Sequence, residues 1–212
     1  ADVLEMTVDE GVEFFQGLEE ILQGLEPLRA VGLGYMKLGQ PVPTLSGGEA
    51  QRLKLAGHLA KAKKDKGEEK GLLFLMDEPT TGLHFHDIAV LLRAFRRLLA
   101  EGHSLLVIEH NLDIIANADW ILDLGPGGGE DGGRIVCEGT PDEVAACRGS
   151  RTGQALRKHF KGPAPSLASG KPPKGKRPSV RRNAEVIEVR HAREHNLKNV
   201  NLKIPRDRFT VV

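Results

Sequence analysis

The sequence predicts an α/β fold built on a mainly parallel sheet, and three observations carry that expectation. Residues 72–76, Leu-Leu-Phe-Leu-Met, form a continuous apolar run, as in a strand covered on both faces. Similar short runs at 104–108 and 120–124 alternate with stretches whose apolar residues recur at helical spacing. Strands alternating with helices in one chain make a layered domain with a parallel core.

Each element has its own local reason. Thr7 and Glu10 form a capping-box pattern before Val12, Phe15, Leu18, Ile21 and Leu22, so one helix is expected over 7–24. Residues 32–43 are rich in Gly and Pro and read as loop. A second helix is expected from Ser46 to about Lys61, with Leu53, Leu55, Ala56, Leu59 and Ala60 on its apolar side. Residues 61–70 read as a charged, exposed loop. After the strand at 72–76 comes an amphipathic helix over 88–99, carrying Leu91, Leu92, Phe95 and Leu98. Strand 104–108, helix 112–116 and strand 120–124 follow. The glycine-rich 125–133 segment is a turn leading to a strand at 134–137. Thr140, Pro141 and Glu143 supply the cap, first-turn proline and capping box of a short helix. Residues 185–190 and 199–204 alternate apolar and polar as strands, and 209–212 starts another apolar run.

The 212 residues are enough for one or two domains with a full core. Net charge is +1, so total charge says nothing about partners. Its distribution says more. From Lys161 to Asn183 there are seven Lys or Arg and no acid, among Pro, Gly and Ser. Such a stretch buries too little apolar surface to order itself and reads as a flexible linker over 161–184. A solvated tether is one use for it, and a nucleic-acid-binding arm is another. Lys61, Lys63, Lys64 and Lys66 could approach phosphates in the same way, though Asp65, Glu68 and Glu69 offset them.

The two cysteines, Cys137 and Cys147, form no CxxC pair, so neither a disulfide framework nor a zinc site is expected in this chain. Both read as ordinary thiols in a reducing compartment. No apolar run approaches the ~20 residues a membrane helix needs, and the first residues lack signal-peptide character. A cytoplasmic protein without a membrane partner is expected. No initiator Met opens the chain, so its N-terminus is expected to be internal to a longer protein.

Leu45-Ser46-Gly47-Gly48-Glu49 has the form of the ABC-ATPase signature, and 72–78, ending in Asp77-Glu78, has the form of a Walker B strand. A helix N-terminus exposes unpaired N–H groups and the positive end of the dipole, which suits phosphate. Two glycines let a phosphate approach the backbone. Four residues alone would equally make a plain Ser46–Glu49 capping box. Gln51, Arg52 and the acidic strand end some 25 residues on favour Ser46, Gly47, Gly48 and Glu49 as nucleotide-binding. Phosphoryl transfer needs a carboxylate to hold Mg²⁺ and a group to orient the attacking water. Asp77 suits the first role, through a metal-bound water. Glu78 suits the second, as general base. The alternative is an acidic strand end before a Pro79 turn. His110, at the carboxyl end of the next strand, could contact a terminal phosphate, although a lone His is more often a surface or core residue. His84 could touch a partner subunit. The glycine-rich 125–133 segment lacks the G-x-x-x-x-G-K-[ST] phosphate loop, and no such match occurs in the chain.

At Leu33-Gly-Tyr-Met-Lys-Leu-Gly-Gln-Pro and Thr44-Leu-Ser-Gly-Gly-Glu-Ala-Gln-Arg the chain resembles the UvrA family. Asp77-Glu-Pro-Thr-Thr-Gly-Leu-His, Val107-Ile-Glu-His-Asn-Leu-Asp and Asp123-Leu-Gly-Pro extend the resemblance. These are damage-recognition ATPases of bacterial nucleotide excision repair. The resemblance implies an ABC-type P-loop ATPase half in residues 1–160, similar to the end of the family's C-terminal unit. Residues 185–212, with Ala192-Arg-Glu-His-Asn-Leu-Lys-Asn-Val, look like the opening strands of a further unit, stopping before its Walker A. It also implies two nucleotide sites between paired units. The signature, Ser46 to Glu49, faces ATP held by the other unit, while Asp77, Glu78 and His110 serve their own unit's ATP. Mg²⁺, lesion-bearing duplex DNA, UvrB and a dimer partner come with the resemblance. The family's zinc modules lie outside this chain.

Two departures matter. Without a Walker A the isolated chain is expected to be inactive, a fragment of a longer protein. A C-terminal-type unit followed by a new opening suggests two UvrA copies in tandem. The alternatives are an ordinary join between first and second units, a transporter-type or drug-resistance relative, or a non-catalytic interaction fragment.

Overall fold

The computed structural model describes residues 2–62, 71–161 and 186–212. The basic linker expected over 161–184 lies outside the described residues, except Lys161. The lysine-rich stretch 63–70 lies outside them as well. The chain divides into two compact units, Ala1–Gly71 with Met76–Gly102, and Leu72–Leu75 with His103–Val212.

The first unit is helical: α1 (Asp2–Glu5), α2 (Val8–Phe14), α3 (Glu19–Ala30), α4 (Gly47–Ala62) and α5 (Phe85–Ala100). Thr7 caps α2 with the expected capping box, its hydroxyl accepting from the Glu10 N–H at 3.2 Å. The single helix expected over 7–24 is two. The Leu18 N–H turns back to Phe15 O at 3.0 Å, and Gly17 takes φ +89°, a left-handed conformation that ends a helix. Helical periodicity continues across this break, which is why the apolar pattern alone did not show it. Residues 33–39 fold back along α1 and α2, with the Leu38 N–H on Met6 O and the Val8 N–H on Met36 O, both 2.8 Å. Val31, Leu33, Leu55, Leu59, Leu91, Phe95 and Leu98 make the core where α3, α4 and α5 meet.

The second unit holds a five-stranded sheet of order β1-β2-β7-β3-β4. Its strands are β1 (Leu73–Asp77), β2 (Ser104–Ile108), β3 (Trp120–Gly125), β4 (Arg134–Gly139) and β7 (Phe209–Val211). The unit boundary crosses β1 after Leu75. Expected to be covered on both faces, β1 is instead an end strand, with Leu73 39% and Leu75 67% exposed. An apolar run records what a strand could bury; its place in the sheet decides what it does bury.

β7 runs parallel to both its neighbours, Leu105 opposite Phe209 and Trp120 opposite Thr210, while β3 and β4 are antiparallel. Phe209, Thr210 and Val211 are almost wholly buried. The last strand of the chain therefore sits at the centre of a sheet made otherwise by residues 73–139. Around it lie α6 (Leu112–Ala116), α7 (Pro141–Ala146) and α8 (Arg151–Lys161). Asn111 caps α6 and Thr140 caps α7, the latter with the expected capping box. The sequence reading did not include α8.

β5 (Val186–Ala192) and β6 (Val200–Pro205) pair as a separate antiparallel hairpin. The loop between them rests on the glycine-rich turn. The Asn196 amide donates to Gly129 O, and the Lys198 N–H donates to Gly133 O, each at 2.8 Å. Gly133 has φ +73°, and a Cβ there would fall on the Asn196 carbonyl oxygen. Close backbone approach, not a phosphate, explains this glycine.

Candidate functional site

In the first unit, Ser46 and Glu49 close a capping box at the start of α4. The Ser46 N–H donates to Glu49 Oε2 at 2.7 Å, and the Glu49 N–H donates to Ser46 Oγ at 3.3 Å. The plain capping role is thus real and does not use the turn up. A Cβ on Gly47 would meet nothing within 4 Å, so space lies open beside it. Glu49 also accepts from the Tyr35 hydroxyl at 2.6 Å. That donation first, then the Ser46 N–H, holds the Glu49 carboxyl below its ordinary value of 4.5. Burial and the same carboxylate push the Tyr35 hydroxyl up from 10.0.

One turn further, α4 is bonded to the acidic strand end. Gln51 grips the Asp77 backbone with both ends of its amide. Its Nε2 donates to Asp77 O and its Oε1 accepts from the Asp77 N–H, each at 3.0 Å. Arg52 is fully buried. Its guanidinium donates to Pro79 O at 2.6 Å, Thr81 O at 3.3 Å and the Tyr35 hydroxyl at 3.5 Å. Backbone carbonyls, rather than a carboxylate, receive this buried charge. A Cβ on Gly48 would come within 3.2 to 3.4 Å of Arg52 Nη1, Thr81 O and Glu78 O, so a side chain there would crowd the 78–81 loop. Sequence reading set Gln51 and Arg52 beside the signature but assigned them nothing. Their polar character within a helix whose other face is apolar was the available signal.

Asp77 and Glu78 are exposed at the end of β1. Glu78 has φ +45°, a left-handed conformation that side-chain-bearing residues rarely adopt and that concentrates at functional sites. The Thr81 N–H donates to Glu78 O at 3.0 Å and the Thr81 hydroxyl to Glu78 Oε2 at 3.4 Å. Two adjacent exposed carboxylates are hard oxygen donors. Among the described residues no group of three or more His, Cys, Asp and Glu gathers for a metal. That fits Mg²⁺, which takes one or two carboxylates and completes its shell with water and phosphate oxygens. His84 precedes α5 and is exposed; its ring stacks on His86 at 6.1 Å.

His110 belongs to the second unit and is exposed where β2 ends. Its position depends on Glu109, which sequence reading passed over. Glu109 is only 5% exposed, and its Oε2 accepts from the N–H groups of His110 at 3.0 Å and Asn111 at 3.2 Å. The structure thus gathers Ser46, Gly47, Gly48, Glu49, Asp77 and Glu78 in the first unit and sets His110 in the second.

These motifs have close counterparts. The chain is 57% identical over 161 residues to UvrABC system protein A of Aquifex aeolicus, covering 76% of this chain and 17% of that protein. It is 57% identical over 156 residues to the Thermus thermophilus protein of the same name, covering 74% and 16%. This stretch belongs to the UvrA family. A solved UvrA2 from Deinococcus radiodurans superposes with a TM-score of 0.64 at 47% identity, covering 74% of this chain and 19% of that one. No family model matches. The chain spans about a sixth of the length of the UvrA relatives it matches. No helix among the described residues is long and apolar enough to cross a membrane.

Proposed function

We propose that this chain carries the signature and catalytic strand-end parts of an ATPase that recognises DNA damage in nucleotide excision repair. One arrangement supports the reading best. The helix opening with Ser46-Gly47-Gly48-Glu49 is bonded through Gln51 and Arg52 to the strand end bearing Asp77 and Glu78. A signature turn and an acidic pair tied together suit a machine that couples nucleotide binding to hydrolysis.

In this proposal ATP is the substrate. Ser46, Gly47, Gly48 and Glu49 face a nucleotide held by a second ATPase unit, and the α4 N-terminus contributes the positive end of its dipole. Asp77 holds Mg²⁺ through a water. Glu78 orients the attacking water and accepts its proton. His110 contacts the terminal phosphate from its own side, and His84 lies toward the partner. Mg²⁺ supplies charge neutralisation at the phosphates.

Residues 1–160 form the C-terminal part of one unit, 161–184 the linker, and 185–212 the opening of a further unit. A tandem arrangement of two UvrA copies accounts for that order. Lesion-bearing duplex DNA, UvrB and a second protomer are the proposed partners, in the cytoplasm. Zinc is bound elsewhere in the longer protein.

The test is ATP turnover. The isolated 212 residues should show none. In the longer protein, Glu78→Gln should lower turnover at this site by roughly 10²–10⁴-fold while nucleotide still binds. Unchanged turnover would remove Glu78 as the base. The longer protein should also bind duplex DNA with an affinity that falls as salt rises. Absence of DNA binding would favour a transporter-type or drug-resistance role instead.

A further inference from the structure

The corner of the second unit where α7 meets β4 holds both cysteines of the chain. Cys137 lies on β4 opposite Asp123 of β3, and its Sγ is 3.9 Å from Asp123 Oδ2. The same oxygen accepts from Ser150 Oγ at 2.6 Å, while Asp123 Oδ1 accepts from Thr152 Oγ1 at 2.7 Å. Ser150 is fully buried and stands three residues after Cys147, in a turn closed by the Ser150 N–H on Cys147 O at 3.4 Å. Gly153 draws that turn in further: its N–H donates to Ser150 Oγ at 2.6 Å, and a Cβ there would strike Val144 O. The Asp123–Ser150 bond thus anchors the end of α7 over β4. There the Cys147 side chain is within hydrogen-bonding reach of the Cys137 thiol. Both cysteines are partly exposed, so a small oxidant can reach them.

We propose that Cys137 and Cys147 are an oxidation site that closes into a reversible intramolecular disulfide, stapling the end of α7 to β4. Neither residue belongs to the proposed nucleotide machinery, so the inference stands apart from it. With glutathione disulfide as oxidant, the Cys147 thiolate attacks one sulfur and expels a glutathione thiolate, leaving a mixed disulfide. The Cys137 sulfur then attacks Cys147 Sγ, gives up its proton and expels the second glutathione thiolate. Two protein thiols are oxidised and one glutathione disulfide is reduced to two glutathiones. Burial, then the hydrogen bond with Cys147, pushes the Cys137 thiol up to about 11. Cys137 therefore stays protonated near neutral pH and enters second.

The experiment incubates the full chain with glutathione disulfide in native buffer and maps its thiols by alkylation and mass spectrometry. The expected product is a monomer with residues 137 and 147 joined, reopened by dithiothreitol. Closure should be at least about tenfold faster in native buffer than in concentrated urea, because the fold holds the sulfurs together. The closed form should melt on the order of 5 °C higher. Cys147→Ser and Cys137→Ser should each stop at a glutathione adduct or an untouched thiol. Two freely alkylating thiols in the wild-type chain, a bond formed only between chains, or closure no faster in buffer than in urea would each overturn the proposal.

Discussion

Two strand ends in this chain present an acidic residue followed by a turn, and they are held in opposite ways. At the end of β2 the Glu109 carboxylate bonds the N–H groups of the next two residues, so the turn bearing His110 is fastened by its own sequence. At the end of β1, Asp77 and the loop after it are fastened from α4, 26 to 29 residues away, by Gln51 and Arg52. The first turn needs little beyond local chain. The second exists only while α4 is packed in place. Anything that shifts the signature helix must therefore also shift the segment carrying Asp77 and Glu78.

The largest effect should come from Arg52→Ala. It leaves the Pro79 carbonyl without its buried donor and opens a cavity, at about 3 kcal/mol. Chemical denaturation would show it as a lower midpoint, and a loss under about 0.5 kcal/mol would mean that water replaces the guanidinium at no cost. Glu109→Ala should come next, at about 2 kcal/mol, since two N–H groups lose a mostly buried acceptor. Its amides at His110 and Asn111 should exchange faster, with the Asp77 amide unchanged. Gln51→Ala should be milder, about 1 kcal/mol, because its bonds are exposed. There the contrast is sharpest: the Asp77 amide should lose protection while His110 and Asn111 keep theirs. Equal changes at both strand ends would end the distinction between local and tertiary fastening.

Acid should give the smallest change. Because the folded value of Glu49 lies below 4.5, this carboxylate adds stability above pH 4.5 and loses it as pH falls through the folded value. Glu49→Gln should flatten that part of the acid titration of stability, and an unaltered profile would show that Glu49 is indifferent to folding.

The contrast also explains what could be read beforehand. The caps at Thr7, Asn111 and Thr140 act over two to four residues. Two of the three were legible as capping boxes, because donor and acceptor lie within one helical turn. The signature turn and the Asp77-Glu78 pair were legible as motifs for the same reason. Glu109 was missed although its bonds are local, because an acid beside His110 reads as solvent-exposed until its 5% exposure is known. The break between α2 and α3 escaped because Gly17 interrupts the backbone without interrupting the apolar spacing. The exposure of Leu75 escaped because burial depends on which strands lie beside β1.

By itself the sequence determined the helix starts, the run of strands and helices, and the residue types that phosphate chemistry requires. All of these depend on neighbours within a few positions. Tertiary structure alone decided that Arg52 turns inward, that Gln51 grips Asp77 and that the last strand enters the middle of the sheet. Each of these satisfies a buried or strand-edge polar group with a partner distant in sequence, and no local pattern specifies such a partner.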